Sequence, residues 1–106
     1  MINVGIHGST GRVGRLLIDN LLKDKEAKPH VLHAIEDFGF TTPKDVTITD
    51  DVSALLQKSD VVIDFTISMG TETLLENALK HPTPLVIGTT GLNEHQQNLL
   101  KEASNN

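Results

Sequence analysis

The fold of this chain follows from residues 2–23, INVGIHGSTGRVGRLLIDNLLK. The stretch opens with an apolar run over residues 2–6 and then passes three glycines spaced three apart, Gly8, Gly11 and Gly14. Beyond the glycines, apolar residues recur with the period of a helix. The apolar face of this predicted helix consists of Val13, Leu16, Leu17 and Leu21. A strand, a glycine-rich turn and a helix in this order are typical of a dinucleotide-binding fold.

Each glycine of the turn has a physical role in such a fold. Gly8 supplies the tight turn out of the strand, Gly11 leaves room for a pyrophosphate against the backbone, and Gly14 allows the helix to lie close to the sheet. The start of the helix directs free N–H groups at the phosphates, and Arg12 adds a hydrogen bond worth roughly 1.5–3 kcal/mol when well placed. The spacing G-x-x-G-x-x-G is also compatible with a glycine-rich turn in an unrelated α/β domain.

Composition limits the function classes. The 106 residues contain no cysteine, which excludes disulfides, thiolate catalysis and iron–sulfur clusters. The formal net charge of −5 argues against general nucleic-acid binding, and no apolar run approaches the roughly 20 residues of a membrane span. Tyrosine and tryptophan are absent, which excludes tyrosine–lysine dehydrogenase chemistry. Because no signal region follows Met1, we expect a cytoplasmic protein.

The rest of the chain alternates predicted strands and helices. After a polar exit turn that ends at Pro29, strands are predicted over residues 31–35, 46–48, 60–65 and 85–87, and the strand over 60–65 is expected to be buried and apolar on both faces. Helices are predicted from a cap at Asp50 or Asp51 through Leu56, over residues 69–80 with Thr66 and Ser68 as possible caps, and from a capping box of Asn93 and Gln96 to Ala103. This alternation predicts one α/β domain over residues 1–106, a doubly wound, Rossmann-like parallel sheet.

Ligands of such sheets bind beyond the carboxyl ends of the strands. Glu36 lies 22 positions after Gly14, where a dinucleotide fold places an acid on the adenosine ribose hydroxyls. The adjacent Asp37 adds a second carboxyl group. Because carboxylates repel a 2′-phosphate, the pair favours NADH over NADPH, unless Lys44 folds over to compensate. A solvated turn after a strand is the other reading of these two acids.

Further polar side chains follow the fourth and fifth predicted strands. Thr66, Thr89 and Thr90 are expected near the cofactor, although helix caps and turns also use threonine. His7 ends the first strand and is expected to pack or hydrogen bond, not to catalyse. His30 and His33 are expected to point to opposite faces of a strand, so a metal shared between them is not predicted.

Three motifs resemble the N-terminal domain of the 4-hydroxy-tetrahydrodipicolinate (dihydrodipicolinate) reductase family. They are Gly8–Gly14 (GSTGRVG), Asp60–Thr66 (DVVIDFT) and Val86–Leu92 (VIGTTGL). The resemblance implies a nicotinamide-dependent step of lysine and diaminopimelate synthesis. In that step, hydride from NADH or NADPH reduces a cyclic, unsaturated dicarboxylate, with loss of its hydroxyl as water.

The resemblance also implies which residues bind the cofactor. The pyrophosphate would be bound by Gly8, Ser9, Thr10, Gly11, Arg12 and Val13. Glu36 would hold the adenosine ribose, beside Asp37. The cleft and the nicotinamide with its ribose would be lined by Phe65, Thr66, Gly88, Thr89 and Thr90. No catalytic residue and no metal ligand is predicted within these residues.

Some positions depart from the family's pattern. Val13 replaces a frequent methionine, and Asp37 stands where many members carry arginine for a 2′-phosphate, which strengthens the predicted preference for NADH. Ile67-Ser68 replaces the usual residue and proline, so the conformation of the local turn is not predicted. The family's substrate domain would follow Asn106, so we expect a truncated cofactor domain that binds NAD(H) without turnover.

The predicted strand at Leu85, Val86 and Ile87 would leave an unpaired apolar edge. Such an edge favours self-association unless a terminal helix covers it. Two other functions fit the glycine turn. The chain could be a stand-alone nucleotide- or CoA-binding regulatory module, or the cofactor domain of another oxidoreductase such as a semialdehyde or homoserine dehydrogenase.

Overall fold

The computed structural model describes residues 1–9, 11–35 and 41–104. The described residues form five parallel strands and four helices. The strands are β1 (Ile2–His7), β2 (Ala27–His33), β3 (Thr47–Thr49), β4 (Val61–Asp64) and β5 (Leu85–Ile87). The helices are α1 (Arg12–Leu22), α2 (Val52–Lys58), α3 (Ser68–Ala78) and α4 (Glu94–Ser104). The doubly wound parallel sheet predicted from the sequence is confirmed.

The strand order in the sheet is β3-β2-β1-β4-β5. From β1 the chain adds strands on one side and then returns to add β4 and β5 on the other. The order therefore reverses at the β1–β4 boundary, and a sheet of this kind opens its ligand crevice there, beyond the carboxyl ends of the strands. In the register of this pair, His7 lies opposite Asp64.

Both faces of the sheet are covered by apolar packing. On one face, buried Val4, Ile6 and Leu32 pack with Ile18 of α1. A second cluster packs against α2 and α3 and consists of Val31, Val52, Leu55, Leu56, Val62, Leu74 and Ala78. A parallel sheet needs helices on both faces because its strands are apolar on both sides.

The predicted apolar face of α1 is partly wrong. Leu17 and Leu21 pack against the core as predicted, but Ile18 is the buried centre of the face. Val13 is 42% exposed and Leu16 is 57% exposed. The face is rotated by about one residue because Gly14 lies against the backbone of the preceding turn and fixes which side of the helix meets the sheet.

The predicted exit turn at residues 23–29 is wrong, because β2 begins at Ala27 and contains Pro29. The turn is made earlier, where the Asp24 carboxylate accepts hydrogen bonds from the N–H groups of Glu26 and Ala27. Pro29 is tolerated because β3 pairs with β2 only from Val31 onward, and the register with β1 shifts just beyond the proline.

Two helix caps are confirmed and a third is not. Asp51 caps α2 by accepting from the N–H of Ser53. Asn93 and Gln96 form the predicted capping box, with two reciprocal hydrogen bonds of 2.8 Å. Thr66 and Ser68 were offered as caps of α3, but the N-cap residue is Ile67, and the hydroxyl of Thr66 instead donates to Asp64.

Candidate functional site

Backbone hydrogen bonds tie the carboxyl ends of the strands together beyond the sheet. The N–H of Ser9 donates to the His33 carbonyl across to β2, and the N–H of Phe65 donates to the His7 carbonyl at the end of β1. The N–H of Gly88 donates to the Asp64 carbonyl at 2.8 Å. The loops that follow β1, β4 and β5 therefore leave the sheet side by side, and their residues share one edge.

The glycine turn has the shape that the sequence predicts at its first position. Gly8 has φ +87°, a conformation that L side chains rarely adopt. A Cβ on Gly8 would also lie 2.7 Å from Cγ2 of Thr66 and 3.0 Å from the Phe65 carbonyl oxygen. The turn after β1 thus touches the loop after β4, and this contact lies at the boundary where the strand order reverses.

Gly14 packs closely against the turn that follows β1. A Cβ on Gly14 would lie 2.6 Å from the carbonyl oxygen of Gly8 and 2.8 Å from Cα of Ser9. The first turn of α1 therefore packs directly on the backbone that leaves β1. A Cβ on Gly11 would meet only the Gly8 carbonyl oxygen, at 3.6 Å. Space for an approaching ligand consequently exists at Gly11 and not at Gly14.

The start of α1 is open to a ligand. Its N-cap is Gly11, which has no side chain to satisfy the first N–H groups, and Gly11, Arg12 and Val13 are exposed. Unsatisfied N–H groups and the helix dipole favour an anion at this position. Ser9 differs from its neighbours because it is fully buried and its hydroxyl donates to the Ile6 carbonyl at 2.8 Å. Ser9 therefore stabilises the conformation of the turn and does not face a ligand.

Residues after β4 and β5 form the other half of the site. The N–H of Thr66 donates to Oγ1 of Thr89 at 3.2 Å, which joins the two loops. The ring of Phe65 covers Gly88 so closely that a Cβ there would lie 2.1 Å from the ring. Phe65 is 38% exposed and Thr90 is exposed, so both offer surface to a ligand.

Sequence reasoning missed the buried carboxylate beneath these loops. The segment 60–65 was expected to be apolar on both faces, but Asp64 ends β4 with no exposed surface. Its Oδ1 accepts from Nδ1 of His7 and from Thr66, each at 2.8 Å, and its Oδ2 accepts from Thr71 and lies 3.1 Å from Oγ1 of Thr89. An acid inside a β-branched run was the signal available in the sequence.

Asp64 is ionised near neutral pH. Burial raises the pKa of its carboxyl, but the hydrogen bonds from His7, Thr71 and Thr66 together lower it more, so the pKa lies below its ordinary value of 3.8. An ionised carboxylate only accepts hydrogen bonds, so Thr66 and Thr71 direct their hydroxyl protons at it. The expectation that His7 hydrogen bonds is confirmed.

His33 extends the buried polar cluster toward β2. Its ring lies edge-on to that of His7, with centroids 4.7 Å apart, and its Nε2–H donates to the Asp50 carbonyl at 3.1 Å. Burial, followed by the electrostatic effect of His7, lowers the pKa of His33 below 6.5, although Asp50 and Asp51 oppose the shift. His33 is therefore neutral at pH 7.

The structure brings most of the predicted site residues to one edge of the sheet. Those at this edge are Gly8, Ser9, Gly11, Arg12, Val13, Phe65, Thr66, Gly88, Thr89 and Thr90. Thr10, Glu36 and Asp37 lie outside the described residues. Within the described part of the chain, no group of three or more metal-ligating side chains is assembled, and no helix is long and apolar enough to cross a membrane.

The chain matches known proteins over nearly all its length. The family model "Dihydrodipicolinate reductase, N-terminus" matches residues 2–106. A 4-hydroxy-tetrahydrodipicolinate reductase of Nitratiruptor sp. is 55% identical over 101 residues, which are 95% of this chain and 39% of the relative. The chain spans about two-fifths of the length of the curated relatives it matches.

Solved structures share the fold at low identity. A dipicolinate-bound dihydrodipicolinate reductase from Paenisporosarcina sp. TG-14 superposes with a TM-score of 0.80 at 23% identity, over 96% of this chain and 43% of that one. An aspartate semialdehyde dehydrogenase with NADP from Candida albicans superposes with a TM-score of 0.68 at 20% identity, over 85% and 30% of the two chains.

Proposed function

The chain belongs to the dihydrodipicolinate reductase family, as its N-terminal domain, and from this we propose that it binds a nicotinamide dinucleotide for a 4-hydroxy-tetrahydrodipicolinate reductase. The proposal rests on one observation. The turn at Gly8, packed closely against Gly14, places the exposed start of α1 at the point where the strand order reverses. The solved aspartate semialdehyde dehydrogenase, which shares this fold, contains NADP.

The pyrophosphate would lie against the start of α1. Gly11 leaves space for the phosphate oxygens, the N–H groups of Arg12 and Val13 would donate to them, and the Arg12 guanidinium would add charge. Ser9 would contribute the shape of the turn, because its hydroxyl already donates to the Ile6 carbonyl. Thr10, which lies outside the described residues, is also proposed to bind the pyrophosphate.

The two ends of the dinucleotide would extend to either side of β1. The adenosine ribose would reach Glu36 and Asp37 after β2, and the nicotinamide with its ribose would reach Phe65, Thr66, Gly88, Thr89 and Thr90 after β4 and β5. In this arrangement the cofactor supplies hydride from its nicotinamide ring. The residues of this chain bind and orient it, and Phe65 and Thr66 shield one side of the cleft.

Titration with NADH, followed by the fluorescence of NADH itself, tests cofactor binding. The chain contains neither tryptophan nor tyrosine, so the protein background is low. We expect saturable binding of NADH and none of coenzyme A. Binding of coenzyme A alone would instead support a CoA-binding regulatory module.

Preference for NADH over NADPH rests on Glu36 and Asp37. We expect Glu36→Ala to weaken NADH, since the ribose hydroxyls lose an acceptor, and Asp37→Arg to strengthen NADPH by pairing with its 2′-phosphate. Asp19→Ala, an exposed acid on α1, is the matched control and should leave both affinities unchanged. If neither Glu36→Ala nor Asp37→Arg changes an affinity, the ribose assignment is wrong.

We propose that these 106 residues bind cofactor without turnover and act in the cytoplasm. The chain corresponds to about two-fifths of the length of its relatives, which are named 4-hydroxy-tetrahydrodipicolinate reductases. Steady-state oxidation of NADH with the cyclic dicarboxylate should give no enzymatic rate. A rate in the range of ordinary enzymes, about 1–10³ s⁻¹, would contradict this.

We also propose self-association through β5. This strand is the last in the strand order, so one side of it is unpaired within the described residues, and Val86 is 52% exposed. Val86→Lys should abolish association in sedimentation velocity, because a charged edge strand resists pairing. Ile48→Lys on β3 at the opposite edge, 50% exposed in the native chain, is the control. A strictly monomeric native chain at high concentration would contradict the proposal.

A further inference from the structure

The carboxylate of Asp64 joins four separate segments of the chain. His7 belongs to the end of β1, Thr66 to the loop after β4, Thr71 to the first turn of α3, and Thr89 to the loop after β5. A buried charge is tolerated only when its hydrogen-bonding positions are filled, and these four donors match the roughly four lone-pair sites of a carboxylate.

Two of the four partners are residues proposed to face the cofactor. Asp64 contacts Thr66 and Thr89 from beneath, and the two threonines also contact each other: the N–H of Thr66 donates to Oγ1 of Thr89 at 3.2 Å, and Oγ1 of Thr89 lies 3.1 Å from the Thr66 carbonyl oxygen. Asp64 itself has no exposed surface. It therefore acts on any ligand through these threonines and not by contact.

We propose that Asp64 is the positioning residue for the nicotinamide half of the cofactor site, an inference that rests on the proposed function. The Thr66 hydroxyl donates its proton to the carboxylate, and the single hydroxyl proton of Thr89 is donated either to the carboxylate or to the Thr66 carbonyl oxygen, each 3.1 Å away. The two hydroxyls then accept hydrogen bonds from a ligand and donate none. They suit the carboxamide N–H₂ of the nicotinamide, which donates hydrogen bonds, and they do not suit a group that only accepts.

The adenosine half of the site should not depend on Asp64. In the strand order, β2 lies on one side of β1 and β4 on the other. With neighbouring parallel strands about 4.8 Å apart, the end of β2 is roughly 10 Å from the end of β4. Loss of the Asp64 charge should therefore weaken ligands that carry nicotinamide and spare ligands that end at the second ribose.

The test compares NADH with ADP-ribose, which lacks the nicotinamide, by calorimetry on the 106-residue chain. Asp64→Asn keeps the size of the side chain but removes its charge and places an N–H₂ against two donors. We expect about a tenfold loss of NADH affinity, the effect of one charge-assisted hydrogen bond, with ADP-ribose affinity changed less than about twofold. Equal losses for both ligands, or no loss for either, would overturn the inference.

Thr71 provides a second route if Asp64→Asn does not fold. Thr71 is fully buried in α3, so it cannot touch a cofactor, and its hydroxyl donates to Oδ2 of Asp64. Thr71→Val should weaken NADH selectively, by about threefold, while Thr71→Ser, which keeps the hydroxyl, should behave as the native chain. Identical NADH affinities for the Val and Ser variants would count against Asp64 as the positioning residue.

The two hypotheses fail in distinguishable ways. A native chain that binds neither NADH nor ADP-ribose contradicts the proposed function itself. A native chain that binds both, with Asp64→Asn indistinguishable from it, contradicts only the positioning role of Asp64. Thermal unfolding of each variant, measured in the same buffer, identifies any loss of binding that is due to unfolding.

Discussion

Nδ1 of His7 lies 2.8 Å from Oδ1 of Asp64, and the two residues are register partners at the carboxyl ends of the neighbouring strands β1 and β4. Both side chains are buried, with 4% and 0% of their surfaces exposed. Because Asp64 carries the charge, the histidine Nδ1–H is the donor. The pair thus fixes the spacing of the two strands at the edge where the proposed cofactor site lies.

We expect His7→Phe to destabilise the fold by about 2–3 kcal/mol. The substitution keeps an aromatic ring but removes a charge-assisted hydrogen bond, worth roughly 1.5–3 kcal/mol, from a buried carboxylate. The measurement is the free energy of unfolding in urea at pH 7. His95→Phe in α4 is the control because His95 is exposed, and it should change stability by no more than about 0.5 kcal/mol.

Stability should decline on acidification in two steps. His33 has a pKa lowered by burial, so below its unfolded value of 6.5 the unfolded chain binds a proton that the folded chain does not, and stability falls as the pH falls. Asp64 has a lowered pKa, so its contribution is present above 3.8 and is lost as the pH falls through the folded value. Urea midpoints across the pH range measure both steps.

His33→Gln separates the two steps. The glutamine amide can still donate to the Asp50 carbonyl but does not titrate, so the decline just below pH 6.5 should become shallower while the step below 3.8 remains. His95→Gln, at an exposed position, should leave the profile as in the native chain. An unchanged profile in His33→Gln would assign the first step to another group.

Gly14 and Gly11 should differ sharply when each is replaced by alanine. In Gly14→Ala the new Cβ would meet three backbone atoms within 2.8 Å, which cannot move aside cheaply, and we expect a loss of about 1–3 kcal/mol. In Gly11→Ala the nearest atom is 3.6 Å away, so stability should hold while NADH binding weakens. Unfolding and NADH titrations of both variants check this contrast; comparable destabilisation of the two would contradict it.

The capping box of α4 should contribute about 1 kcal/mol. Asn93→Ala removes the side-chain oxygen that accepts from the N–H of Gln96 and leaves that donor unsatisfied at the start of the helix. Thermal unfolding should show a lower midpoint for this variant. Asn98→Ala, an exposed position within the same helix, is the control and should be neutral or slightly stabilising because alanine favours helices.

Local signals in the sequence were sufficient for much of the fold. The glycine turn at Gly8, the cap at Asp51 and the capping box at Asn93 and Gln96 were each predicted from residues within a few positions of one another. Their physics is local, since a positive φ or a helix cap depends on neighbouring backbone atoms. The family was likewise identified from three short motifs.

Two features of the fold, the place of Pro29 and the role of Asp64, depend on residues far away in the sequence and follow only from the tertiary structure. Pro29 reads as a turn residue in isolation, but it lies in β2 because β3 does not pair with that part of the strand. Asp64 reads as one more residue of a buried strand, yet two of its hydrogen-bond partners, His7 and Thr89, are 57 and 25 positions away in the sequence. A buried charge is stable only where several segments converge to hydrogen bond with it, and that convergence exists only once the chain is folded.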